Sequence, residues 1–316
     1  MHPKHTRIPQ IFCLLFCLLF GIGTLSGCSG NSGGSNSSKK ETGSRPNAPV
    51  IYEPTAPGSE WIGSAPLMID ISNRSQGYVM ARYDGSAEKA NIQIIGPDGI
   101  SYKYFLPSSD SYVPLPITAG SGTYQIEGYE NITENKYAVL FKETVDIQLE
   151  NELLPFLYPN QYVNFQADTK AVSVASDTVK NASDDLDAVA DIYHYVVDHI
   201  TYDEAKAESV TAGYLPDVDE TLSSGKGICF DFASLTAAML RSQNIPTRLE
   251  IGYSGEIYHA WISVYTKETG WIDHIIEFSG NGWTRMDPTF ASGNDNNQKI
   301  LKYIGDGSNY TTQYIR

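Results

Sequence analysis

The spacing of apolar and polar residues changes several times along this chain. Residues 11–22 are continuously apolar. Residues 29–58 carry mostly Ser, Gly, Asn, Lys and Pro and show no period. From 59 to 150 short stretches alternate, rich in β-branched and aromatic residues: 67–71, 78–83, 91–95, 100–105, 122–129 and 137–141. Asp84-Gly85, Gly96-Pro97-Asp98-Gly99, Pro107-Ser108-Ser109-Asp110 and Ala119-Gly120-Ser121-Gly122 punctuate them as turns. Period two with turns at this spacing predicts an antiparallel sandwich. From about 166 the period lengthens to that of a helix. Helices are predicted over 167–182, 184–200 and 229–243. In the second, Leu186, Val189, Ala190, Tyr193, Val196, Val197 and Ile200 share a face, and Ser183-Asp184-Asp185 supplies an N-cap. The third buries Phe230, Phe232, Leu235, Ala238 and Met239, and stops before Pro246. Alternation then returns in 247–253, 258–265, 271–278 and 282–287, which predicts an antiparallel sheet. A helix packed on such a sheet is an α+β arrangement.

The amino terminus reads as an address. Lys4 and Arg7 precede the apolar run, which is short for a membrane span, and small residues follow it. Leu25-Ser26-Gly27-Cys28 closely resembles the lipobox of bacterial lipoproteins. That resemblance implies cleavage before Cys28, a diacylglycerol on its sulfur and the extracytoplasmic face of a bacterial membrane as location. Residues 28–58 are then expected to be a flexible tether with a reach of roughly 30 Å. The expected organisation is a signal peptide at 1–27, the lipidated Cys and tether at 28–58, a β-sandwich-like domain at 59–150, and an α+β domain at 151–316.

Composition narrows the partners. The net charge is −15, so no basic stripe is available to neutralise phosphates, and nucleic acid is excluded as a partner. Of the four cysteines, Cys13 and Cys17 lie in the leader and Cys28 at its end, which leaves Cys229 alone in the body of the protein. It has neither a disulfide partner nor a second thiol for a zinc site. No metal site or cofactor is expected. The β domain offers no His, Cys or carboxylate cluster and reads as a spacer or binding module.

Gly225-Lys226-Gly227 delivers Cys229 to the first turn of a predicted helix, where free N–H groups and the macrodipole favour a negatively charged sulfur. A thiol nucleophile needs a base and a group that orients the base. The residues that follow offer His259 at the start of one strand and Asp287 at the end of another. His194 and His199 are five apart, which does not set two ligands on one helix face, and they read as structural or exposed. His274 reads as structural. Asp231 reads as a stabiliser of the helix start, and Trp261 and Trp283 as core residues with an edge on the cleft. Tyr202 is the side-chain candidate for an oxyanion donor beside the Cys229 N–H. Tyr258, Trp261 and Tyr214 are candidates for the cleft lining.

Three blocks in order, Gly225 to Ala233, Tyr258-His259-Ala260-Trp261 after Gly252-Tyr253, and Trp283-Thr284-Arg285-Met286-Asp287-Pro288-Thr289-Phe290, resemble the transglutaminase-like superfamily over about 185–292. The resemblance implies a papain-like α+β core and a Cys-His-Asp triad at Cys229, His259 and Asp287. It implies a thioester on Cys229 that is resolved by water, as in a peptidase or amidase, or by an amine, as in a cross-linking acyltransferase. The expected partner is a protein or peptide substrate at the cell envelope, beside the membrane that holds the lipid anchor. Calcium dependence, known among animal members, is not expected, because no Asp/Glu-rich loop of the required density is present. Two other readings accompany these residues: an inactive transglutaminase-like binding module, and a structural lipoprotein whose β domain carries the function.

Overall fold

The structure is a computed structural model that describes residues 43–273, 276–278, 283–285 and 310–316. Cys28, His274 and Asp287 lie outside the described residues. The described residues form one compact unit. It contains two large hydrophobic cores, one between two β-sheets and one between a helical layer and a third sheet.

The first core belongs to the sandwich. Its strands are β1 (Trp61–Ser64), β2 (Leu67–Asp70), β3 (Tyr78–Tyr83), β4 (Lys89–Ile95), β5 (Ser101–Pro107), β6 (Ser109–Pro116), β7 (Gly122–Thr133) and β8 (Lys136–Ile147). One sheet has the order β1-β2-β3-β6 and the other β5-β4-β7-β8, and every pairing within them is antiparallel. Alternation puts Leu67, Ile69, Val79 and Ala81 of the first sheet against Ile92, Ile94, Tyr104 and Ile126 of the second. The pattern missed β1 and β6. Strand β6 contains Pro114 and Pro116, which cannot donate to a ladder, and they are tolerated because β6 is an edge.

The second core is built around helix. After α1 (Lys170–Thr178) and α2 (Asp185–His199) come β9 (Thr201–Tyr202), α3 (Glu204–Ser209), α4 (Val218–Ser224), β10 (Lys226–Gly227) and α5 (Cys229–Ser242). The Asp184 side chain accepts from the Asp187 N–H at 2.9 Å, which is the cap read from the sequence. Strands β11 (Thr247–Ser254), β12 (Ile257–Thr266), β13 (Gly270–Ile272), β14 (Ile276–Phe278), β15 (Trp283–Arg285) and β16 (Tyr310–Ile315) follow. They form a four-stranded sheet of order β13-β12-β11-β16 and a separate β14-β15 hairpin, rather than the single four-stranded meander expected. The strand beside β11 is β16, from the far end of the chain, which local alternation does not reveal.

Helix α5 is buried from Asp231 to Ser242 on all sides, not on one stripe. Its Ala233, Ser234, Ala237 and Ala238 let neighbours approach closely, while Phe232, Leu235 and Met239 fill the core. It packs on β11 and β12 on one side and on α1, α2 and α4 on the other. A helix enclosed in this way is held by tertiary burial more than by propensity.

Residues 43–58, expected from composition to be tether, instead run along the helical layer at first and then reach the sandwich, where the Thr55 N–H donates to the Tyr78 hydroxyl at 3.1 Å and the Gly58 N–H to Asp70 at 2.6 Å. The Arg45 Nε pairs with Asp185 at 2.7 Å, and its Nη2 donates to the Gln243 carbonyl at 2.5 Å. The Val50 N–H donates to the Ser242 carbonyl at 2.8 Å. A Pro-rich polar segment has too little apolar side chain to order itself, but here the end of α5 offers carbonyls that need donors.

Arg241 joins the pieces. Fully buried, it donates from Nε and Nη2 to the Thr247 carbonyl at 3.0 and 2.8 Å, from Nη1 to Tyr158 at 2.7 Å, and from Nη2 to Arg316 at 2.8 Å. Burial pulls its pKa down, and backbone carbonyls rather than a carboxylate hold the charge. Arg241→Leu is expected to lower unfolding free energy by roughly 3 kcal/mol, because three buried carbonyls lose a donor. Urea denaturation measures this; an unchanged midpoint would show that the carbonyls find other donors.

Candidate active site

The approach to Cys229 is fixed by close packing. Gly225 ends α4 in the left-handed region, at φ 64°, where a Cβ is disfavoured. Gly227 stands where an added Cβ would lie 2.6 Å from the Cβ of Asp231. Between them, β10 pairs in parallel with β9, and the Asp203 N–H donates to the Gly227 carbonyl at 2.9 Å. Tyr202 is therefore pinned beside the turn that presents the thiol.

Asp231 locks the helix start. Its Oδ2 accepts from the Ile228 N–H at 2.8 Å, while its own N–H donates to the Ile228 carbonyl at 2.9 Å. The first of these bonds is the half of a capping box that an acid at the third helical position supplies, and the second closes the first turn. The carboxylate is fully buried and also accepts from the Tyr214 hydroxyl at 2.5 Å and pairs with the Lys206 ammonium at 2.8 Å. Lys206 in turn lies 4.6 Å from the centre of the Tyr214 ring. Burial, then the bond to Asp231, pushes Tyr214 up to about 12. Burial opposes the charge on Lys206, but the bonds to Asp231 and Tyr214 outweigh it and raise its pKa.

Cys229 is a half-buried free thiol at the first position of α5. It lines a cleft of about 590 Å³ together with His259, Tyr202, Tyr258 and Tyr214. Thus the cleft gathers Cys229, His259, the oxyanion candidate and two of the three proposed lining residues. Tyr202 is 40 % exposed, and its pKa is raised by burial first and by the neighbouring Cys229 second. Its hydroxyl therefore shares the electrostatic environment of the sulfur. Tyr214, by contrast, has its hydroxyl committed to Asp231.

Trp261 departs from expectation. It is 2 % exposed and absent from the cleft wall among the described residues. On β12, Ala260, Ile262 and Val264 face α5. His259 and Trp261 alternate with them and stack at 6.2 Å between ring centres. Trp261 thus packs behind the imidazole. His259 itself is 5 % exposed and faces Gly252 across the β11–β12 ladder. His199 stacks on Tyr195 at 4.0 Å and is structural.

The sequence reading missed what forms the opposite wall. Ser101, Lys103 and Phe105 of β5, in the sandwich, line the same cleft as Cys229. So do Tyr314 and Arg316 at the chain's end. No local signal points from these positions to residue 229. The acid three residues beyond Ile228 was such a signal for Asp231. Among the described residues no cluster of His, Cys, Asp and Glu has the form of a metal site.

Residues 172–288 match the family model of the transglutaminase-like superfamily, a span that includes Cys229, His259 and Asp287. It begins before the stretch of resemblance seen in the sequence and ends close to it. No curated protein matches the chain. Among solved structures, the periplasmic domain of TgpA from Pseudomonas aeruginosa is 16% identical, with 76% of each chain covered and a TM-score of 0.34. The same domain bound to ethylmercury is 14% identical, with 76% of this chain and 99% of that one covered and a TM-score of 0.35. Red sea bream transglutaminase is 12% identical, with 67% and 47% covered and a TM-score of 0.30.

The Asp231 cluster makes a pH-dependent prediction. Tyr214 and Lys206 both hold their protons more tightly in the folded chain. Their contribution to stability is therefore complete below about pH 10 and falls as pH rises toward about 12. Asp231→Asn is expected to cost roughly 2 kcal/mol near neutrality and to flatten that alkaline loss. Urea midpoints across the range for both proteins measure it; parallel curves would contradict the assignment.

Proposed function

We propose, from the match of residues 172–288 to the transglutaminase-like family model, that this chain is a thiol enzyme that attacks a peptide or carboxamide carbonyl through Cys229. The supporting observation is the one cleft that holds the helix-start thiol, His259 and Tyr202 together. In this reading His259 takes the thiol proton, and the sulfur bonds to the carbonyl carbon. The oxyanion that develops is met by the Cys229 N–H and the Tyr202 hydroxyl. His259 then returns the proton to the departing amine, leaving an acyl thioester. Water or a second amine breaks the carbon–sulfur bond, giving hydrolysis or transfer. Asp287, outside the described residues, is assigned to orient His259.

The room around the site fits a chain-like substrate. A second cleft, of about 750 Å³, adjoins the first, and Phe105, Gln161 and Leu215 line both. An extended peptide can lie along the pair, whereas a small amide needs only one. The leader and lipobox support an extracytoplasmic, lipid-anchored location, with Cys28 as the anchor. Among the described residues no helix is long and apolar enough to cross a membrane.

Two measurements check the assignment. Iodoacetamide near neutral pH should label Cys229 faster than glutathione, and His259→Ala should slow it at least about tenfold. Equal rates for the protein and the free thiol, unaffected by that substitution, would leave a binding module. On a peptide mixture with an added fluorescent amine, mass spectrometry separates cleavage from amine incorporation. Tyr202→Phe should lower kcat by roughly a hundredfold with little change in KM; an unchanged kcat removes Tyr202 from the oxyanion site.

A further inference from the structure

We propose that the cleft selects an anionic acyl donor, a peptide or amide with a carboxylate beside the attacked carbonyl, and that Lys103 and Arg316 recognise that carboxylate. This rests on the thiol-enzyme reading and adds its substrate class. Overall the chain is acidic, with 37 Asp and Glu against 22 Lys and Arg. Among the described residues that line the Cys229 cleft, the order is reversed: Lys103 and Arg316 are there, and no Asp or Glu is. A cleft lined by one sign of charge concentrates ligands of the other sign.

Arg316 is built into this wall. It is 5 % exposed, and its guanidinium lies 4.8, 4.8, 4.6 and 5.4 Å from the ring centres of Tyr102, Tyr104, Tyr162 and Tyr314. The Arg316 Nη1 donates to the Tyr104 hydroxyl at 2.9 Å, but its Nε is buried without a partner among the described residues. Among the described residues no carboxylate pairs with it. A buried donor left unpaired is costly, and a carboxylate is the group that a guanidinium fork fits.

The comparison with Arg241 sharpens this. Arg241 is equally buried, but its Nε, Nη1 and Nη2 all donate to backbone carbonyls, so it serves the fold. One of those carbonyls belongs to Arg316, whose backbone is also paired with Leu249 in both directions. The main chain of Arg316 is thus fixed while its side chain keeps a donor that no described residue satisfies. The cage also reaches the nucleophile: Tyr162 lies against Arg316 on one side and 6.0 Å from the ring of Phe230, the neighbour of Cys229, on the other. The Tyr162 hydroxyl donates to the Lys103 carbonyl at 3.1 Å, which ties β5 to the same cage.

Alkylation of Cys229 by two reagents of like size tests the proposal. Iodoacetate carries the carboxylate and iodoacetamide does not. The rate ratio of iodoacetate to iodoacetamide is measured on the full chain and on Lys103→Gln and Arg316→Gln, at low and raised salt. Each substitution should lower the ratio by about fivefold, as expected for losing one nearby charge, and the ratio cancels any change in thiol reactivity that both reagents share. Raised salt should weaken the Lys103 effect more than the Arg316 effect, because Lys103 is exposed. A ratio that is the same in all three proteins overturns the proposal. Slow labelling by both reagents would instead overturn the thiol-enzyme reading beneath it. If Arg316→Gln melts early, Lys103→Gln and Lys103→Glu decide: a ratio falling in that order supports the proposal, and a flat series refutes it.

Discussion

A buried carboxylate at the start of a helix governs this site. Asp231 has no contact with water, and it satisfies itself with the Ile228 N–H, the Tyr214 hydroxyl and the Lys206 ammonium. Each of these partners sits on a different piece of chain: the turn before α5, the loop before α4, and α3. A charge in a low-dielectric interior cannot lose a partner cheaply, so the three pieces are held in one relation. Gly227 must lack a side chain because Asp231 occupies its space. The position of Cys229 follows from this packing, since it is the residue between Ile228 and the helix body.

The cleft is a joint product of the two cores. One wall is the start of α5 with β9 and β12, and the other is the outer strand β5 of the sandwich with Arg316. The Thr118 hydroxyl donates to the Ile315 carbonyl at 2.9 Å, and Tyr102 meets Tyr314 at 5.9 Å, so β16 is clamped to the sandwich. The sandwich therefore lines the cleft that holds Cys229, which its lack of His or Cys did not suggest. Arg241 supports the same junction from inside, because the carbonyls it gathers come from Tyr158, Thr247 and Arg316. Two separate sets of buried polar groups thus fix the cleft, one around Asp231 at the turn that carries Cys229 and one around Arg241 at the side formed by Arg316.

The helices α2 and α5 were legible because their caps and apolar spacing are local, and Asp184 behaves as read. Most sandwich strands were legible for the same reason: alternation with turn residues between. Strand β6 was not, because two prolines mimic a loop when the edge position of the strand is unknown. The order of sheet β13-β12-β11-β16 was not legible either, since β16 reaches β11 across more than fifty residues of sequence. At the site, Cys229 and His259 were identified from their blocks and share the cleft, whereas Trp261 was assigned to the lining and lies behind His259. The sequence identifies a tryptophan two residues after the histidine, on the same face of β12, and only the packing around that face decides that Trp261 is covered while His259 reaches the cleft.

By itself, then, the sequence determined the chemical groups, the helix that carries the thiol, and the match of residues 172–288 to a family model. Those depend on neighbours within a few turns of chain. The tertiary structure decided what stands opposite Cys229, through β5, Tyr162 and Arg316. Such contacts arise from burying two cores against each other and from pairing every buried charge. They leave no mark in local periodicity, because their partners are distant in sequence.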